Sequence, residues 1–241
     1  MPLSPINNNS NDNWIHTEKN DKTRVAAKDF LFTIGPKKPV DYKIKPSPVQ
    51  KRIREMIQTK IPDVSPEFVS GVIKCAKDIN CKPEDLTTIL YIESKFNPAA
   101  KKSLYHGLMQ MNKTAFSLAK EYIKENPDKF KEMGDLTDFN SFCKKSREEQ
   151  LPYIKAFLLN VKETYVKPKN KKLSGGELYA LILAPGNYNN KYIIPKNSKT
   201  YNSNITLDIH KKDGGITKKD LQDFIDIKKI NDLSQKLPEK I

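Results

Sequence analysis

Apolar residues recur through the middle of the chain at the three- and four-residue intervals of a helix rather than at the alternate positions of a strand. Val49, Ile53, Met56 and Ile57 make the first stripe, which opens after Ser47 and closes at Ile61-Pro62. The second opens at Ser65-Pro66-Glu67, a capping serine with proline in the first turn, and carries Phe68, Val72, Ala76 and Ile79. Pro83-Glu84-Asp85 starts a third, in which Leu86, Ile89, Leu90 and Ile92 are apolar. Further helices are predicted from Lys113 to Glu125, from Leu151 to Tyr165, from Glu177 to Leu183 and from Lys218 to Ile230. Strand alternation is scarce. The pattern predicts a mainly α fold around one compact core.

The flanks read differently. Residues 1–45 are polar, with an Asn/Asp-rich start and the stretch Gly35-Pro36-Lys37-Lys38-Pro39, and are predicted to form an extended or disordered arm. Trp14, Phe30, Leu31 and Phe32 within it suggest a docking segment, the alternative being an arm packed back on its own domain. The helical domain is assigned to 46–195 and a short helical C-terminal extension to 196–241, which suits a chain of 241 residues. No run approaches the roughly 18 apolar residues of a membrane span. The start of the chain lacks the basic and apolar regions of an ordinary secretory signal. The three cysteines, Cys75, Cys81 and Cys143, lack metal-ligand spacing and read as free buried thiols, the alternative being one disulfide. A net charge of +14 predicts an anionic partner, whether nucleic acid, wall polymer or membrane headgroups, unless it reflects a lysine-rich composition alone. The absence of any base-reading module argues against nucleic acid.

The chemistry concentrates at Glu93. It stands at the end of the helix that begins near Pro83, where Asn97-Pro98 prevents continuation. A carboxylate there faces the negative end of the helix dipole among Ile89, Leu90 and Ile92, and both effects favour the protonated form. That is the state required of a general acid.

The segment Glu93-Ser94-Lys95-Phe96-Asn97-Pro98-Ala99-Ala100, followed by Gly107-Leu108-Met109-Gln110 and then Thr114-Ala115, resembles the lytic transglycosylase family, which shares its helical fold with goose-type lysozymes. The resemblance implies a lysozyme-like domain with Glu93 as the sole catalytic acid/base. Glu93 would cleave the bond between N-acetylmuramic acid and N-acetylglucosamine to leave a 1,6-anhydro end, without the paired carboxylates of ordinary glycosidases. Ser94 would orient the acid or the substrate, and Met109 and Gln110 would line the sugar cleft; no cofactor or metal is implied. The family's later Ala-Tyr-Asn stretch, whose tyrosine supports the acid, is missing from Tyr179-Ala180-Leu181-Ile182-Leu183-Ala184-Pro185-Gly186-Asn187-Tyr188, so that either Tyr179 or Tyr188 is left to take its place, and Tyr188 is expected to contact substrate. The Ala-Pro-Gly variant and the helix opening Ser146-Arg147-Glu148-Glu149-Gln150-Leu151 are similar to the phage-associated branch of the family.

This resemblance implies a muralytic protein made in the host cytoplasm, carried on a virion, and acting at the bacterial wall on peptidoglycan glycan strands. The N-terminal arm would dock on virion or tail proteins. Two alternatives follow: a hydrolytic goose-type lysozyme, for which Asp135 or Asp138 would activate water, and a virion structural protein that keeps the fold with little or no activity. Near the C-terminus, the stretch from Ile209 to Asp220 invites comparison with a calcium loop, but lysine at its third position and missing oxygen ligands make it a simple turn before the last helix.

Overall fold

The computed structural model describes residues 45–211 and 214–234. The predicted arm, with Trp14, Phe30, Leu31 and Phe32, lies outside the described residues apart from Lys45. The chain is mainly α. In order, it forms helices α1 (Pro48–Gln58), α2 (Pro66–Ile79) and α3 (Pro83–Ser94), then the strands β1 (Lys101–Lys102) and β2 (Tyr105–His106). Helices α4 (Lys113–Glu125), α5 (Phe139–Phe142), α6 (Arg147–Tyr165) and α7 (Gly175–Leu183) follow. Strands β3 (Ile194–Pro195) and β4 (Gly215–Ile216) precede the last helix, α8 (Lys218–Leu233). The strands make two small antiparallel pairs, Lys101 opposite His106 and Ile194 opposite Ile216.

Side-chain caps fix where these helices start. Ser47 with Gln50, Ser146 with Glu149, Ser174 with Glu177 and Thr217 with Asp220 each close a reciprocal capping box, worth about 1 kcal/mol apiece. Ser65 caps α2 ahead of Pro66, as its sequence predicts. The α1 stripe is narrower than the sequence suggests: Ile53, Met56 and Ile57 are buried, whereas Val49 is exposed. Helix α6 starts at Arg147, four residues before its apolar run, because the Ser146 box supplies a start that periodicity does not register.

Helix α6 is the central element. It packs against α4 and α2 and buries Leu151, Tyr153, Ile154, Phe157, Leu158 and Val161. The Tyr153 ring stacks on Phe116 of α4 at 5.3 Å between centroids and meets Phe142 of α5 edge-on at 5.5 Å. The short α5 and the two strand pairs were not legible in the hydrophobic pattern, because elements of two to four residues are too short to show a period.

The predicted boundary at residue 195 is corrected. The described part of 196–241 belongs to the same compact unit as the helices before it. Helix α8 packs on α7 and α3, and Ile216, Leu221 and Ile225 are fully buried in the shared core. The approach of α8 to α7 depends on Gly176, where a Cβ would overlap the Lys218 carbonyl; the Gly176 amide instead donates to Gln222 Oε1 at 2.9 Å. A buried ion pair, Lys229 Nζ to Asp85 Oδ1 at 2.8 Å, ties α8 to the first turn of α3. Among the described residues, no helix is long and apolar enough to cross a membrane.

Candidate functional site

The C-terminal end of α3 carries Glu93, and the chain leaves it abruptly. Lys95 and Phe96 both take left-handed backbone angles, φ 56° and 60°, which side-chain-bearing residues adopt at a cost. Packing holds them there: Phe96 is fully buried against Phe68 and Tyr91, and the Lys95 ammonium sits 3.9 Å from the centre of the Tyr91 ring. The helix therefore stops one residue after Glu93, before Asn97-Pro98 is reached.

The loops around that stop are clamped by the first turn of α6. Arg147 Nε donates to the Phe96 carbonyl at 2.7 Å. Gln150 is fully buried; its Oε1 accepts from the Leu108 amide at 2.9 Å, and its Nε2 donates to the carbonyls of Pro98 at 2.8 Å and Lys145 at 3.0 Å. Gly107, at φ 79°, must lack a side chain, since a Cβ would overlap Gln150 Oε1. Glu148 accepts a hydrogen bond from the Ser65 hydroxyl, joining the same turn to the start of α2. The stretch Ser146 to Gln150 is thus a bracket that fixes both segments flanking Glu93.

Glu93 itself is half-buried. Burial pushes its carboxyl above the ordinary range; the hydrogen-bonding hydroxyl of Tyr179 and the charge of Lys102 on β1 act in the opposite direction without cancelling it. Tyr179, on α7, is 3% exposed, and burial together with the Glu93 carboxyl raises its hydroxyl well above the usual phenol value. It therefore remains protonated and able to donate. The arrangement is one acid that holds its proton toward neutrality, a neutral donor behind it and a cation beside it.

Of the two tyrosines the sequence leaves open, Tyr179 is the one that acts on the acid. Tyr188, expected to contact substrate, is corrected: it is buried, donates to Glu177 Oε1 at 3.2 Å and lies under the Lys218 ammonium, 4.0 Å from its ring centre. It fastens the junction of α7 and α8. The spacing along α7 decides between them, because the aligned positions near Leu183 and Ala184 lie at the helix end while Tyr179 stands a full turn earlier.

The other expected contacts turn inward as well. The Ser94 hydroxyl is buried and donates to the Leu90 carbonyl at 3.0 Å, a bond back along its own helix. Met109 is 2% exposed and belongs to the core instead of forming a cleft wall. Gln110, at φ 47°, spends its Nε2 on the carbonyls of Ala100 at 3.2 Å and Gly107 at 2.8 Å, bracing the β1–β2 hairpin; its Oε1 accepts no bond among the described residues. Lys102, Arg147 and Gln150 are the residues that sequence reasoning did not assign to the site. For Arg147 and Gln150 the signal was the motif at the start of α6; Lys102 had none.

Asp138 caps α5, accepting from the amides of Asn140 and Ser141 at 2.8 and 3.0 Å, and these bonds hold its carboxyl below the usual range. Asp135 is exposed. Neither is among the groups that act on Glu93. At the turn before α8, Asp220 is committed to Thr217 and to the His210 amide, and the described residues hold no group of three or more side chains suited to a metal ion. Burial pushes the Cys75 thiol up and the Cys81 thiol up to about 12, so both are inert at neutral pH. No family model matches the chain, and no curated protein or solved structure matches it at a significant level.

Proposed function

We propose that the chain is a peptidoglycan-cleaving lytic transglycosylase, with Glu93 as its single acid/base. The observation that carries this reading is the solitary carboxyl at the end of α3, raised by burial and backed by the Tyr179 hydroxyl, with Lys102 as the charge acting on it. In the proposed reaction Glu93 gives its proton to the glycosidic oxygen as the bond from that oxygen to C1 of N-acetylmuramic acid breaks. The C6 hydroxyl oxygen of the same sugar then bonds to C1, and its proton passes to the Glu93 carboxylate. The acid is regenerated, no water is consumed and the product carries a 1,6-anhydro end.

Each neighbour has a place in this scheme. Tyr179 steadies the carboxylate in the interval when Glu93 has given up its proton, and Lys102 lowers the cost of that charge. Gln110 Oε1 is an acceptor left over for a substrate amide or hydroxyl. The net charge of +14 favours a substrate embedded in an anionic wall. The capping role of Asp138 weighs against the hydrolytic alternative, which needs a second carboxylate free to activate water. Carriage on a virion, with docking through the arm, remains part of the proposal.

The test is release of soluble fragments from purified peptidoglycan by wild type and Glu93→Gln. Wild type should release them and the variant should fall by about three orders of magnitude, the scale of a lost general acid. Equal release by the two would end the enzymatic reading.

A further inference from the structure

Beyond Glu93, the β1–β2 hairpin borders a hollow of about 700 Å³, enclosed with the start of α4 and the α5 segment. Lys101 lines the hollow, and its neighbour on β1, Lys102, is the residue whose charge acts on Glu93, so the hairpin adjoins both. Lys101, Lys113 and Lys144 line it from three different segments, and no aspartate or glutamate does. These three have no ion-pair partner among the described residues. Asp138, which caps α5, is engaged by the amides of Asn140 and Ser141 and by the Ser141 hydroxyl.

Like charges converging on one concavity raise its potential and are stabilised by an anion that enters it. The remaining wall is not that of a simple phosphate site. Asn112 and Asn140 offer amides, and Phe139 offers an aromatic edge. An elongated ligand with carboxylates, amides and small apolar groups fits that mixture; a peptide bearing free carboxylates has all three.

We infer that this hollow is a binding site for the carboxylates of the peptide stem that peptidoglycan carries on its muramic sugars. The inference rests on the proposed function, since it takes the glycan strand to lie at Glu93 while a stem reaches the hollow. The site would make the protein select stem-bearing strands over bare ones. It would do so through binding, because none of the three lysines touches the reacting atoms.

The experiment compares wild type with Lys101→Gln/Lys113→Gln/Lys144→Gln on strands with intact stems and on strands stripped of stems by an amidase. All three lysines are exposed, so the variant should keep its thermal midpoint. The expected result is a rise of about tenfold in KM on stem-bearing strands with kcat unchanged, and identical kinetics on stripped strands. Equal KM values for the two proteins on stem-bearing strands would overturn the site. If wild type cleaves neither substrate, the catalytic reading fails separately, and the hollow is judged by calorimetric titration with the free stem tripeptide. Binding to wild type that the triple variant loses supports the site, whereas no binding, or equal binding to both, overturns it. Poly(glycerol phosphate) binding through the same lysines with no tripeptide binding would overturn the assignment to peptide.

Discussion

Burial holds the Glu93 carboxyl above its unfolded value near 4.5, and the Tyr179 hydroxyl opposes that rise. A carboxyl raised on folding binds more protons in the native state than in the unfolded chain between the two values. Stability is therefore lost as pH rises through that window, and the loss persists above it. Glu93→Gln removes the ionising group, so its thermal midpoint should exceed that of wild type near neutral pH, with the difference closing as pH falls below about 4. Tyr179→Phe removes the opposing hydrogen bond, so the Glu93 titration, followed by carbon-13 NMR of the carboxyl, should move further up. A Glu93 signal that titrates alike in wild type and Tyr179→Phe would remove Tyr179 from the site. The acid and its raised proton affinity were legible in the sequence because a helix end and its apolar neighbours are local features. Tyr179 was not singled out, because a pairing between α3 and α7 depends on how two helices pack.

The α6 bracket is the element that converts a sequence motif into geometry. Gln150 serves the buried Leu108 amide and the partly buried carbonyls of Pro98 and Lys145, so Gln150→Leu should cost about 2–3 kcal/mol. Gly107→Ala adds a left-handed alanine, about 1 kcal/mol, to an overlap with Gln150 Oε1. The two should be coupled: in a Gln150→Ala background, where the overlapping atom is gone, Gly107→Ala should cost only the backbone part. Urea unfolding of the four proteins measures this, and strict additivity would mean that Gly107 and Gln150 do not meet as described. The helices themselves were readable from period and caps. The β1–β2 hairpin was not, because two-residue strands joined around Ser103 and Leu104 carry no alternation to read. The inward turn of Ser94 and Met109 was hidden for a related reason: a motif fixes residue types, while burial depends on which face the fold closes.

At the scale of the whole molecule, the C-terminal flank is part of the domain. Ending the chain at residue 195 would strip Ile216, Leu221 and Ile225 from the core and remove Lys229, the ion-pair partner of Asp85. The shortened protein should show no cooperative thermal transition, and a native-like one would restore the boundary drawn from sequence. That boundary failed because the break in hydrophobic pattern near 195 marks a loop, and the return of α8 onto α7 through Gly176 is a tertiary event. The net charge and the lysine-lined hollow belong to this scale too, since Lys101, Lys113 and Lys144 are far apart in sequence and meet only in the fold. The central claim, that Glu93 alone cuts the glycan strand without water, is tested most directly by digesting peptidoglycan in oxygen-18 water and weighing the muramic ends. Wild type should leave unlabelled 1,6-anhydro ends and Glu93→Gln none. Oxygen-18-labelled reducing ends, or anhydro ends that persist in Glu93→Gln, would contradict that claim.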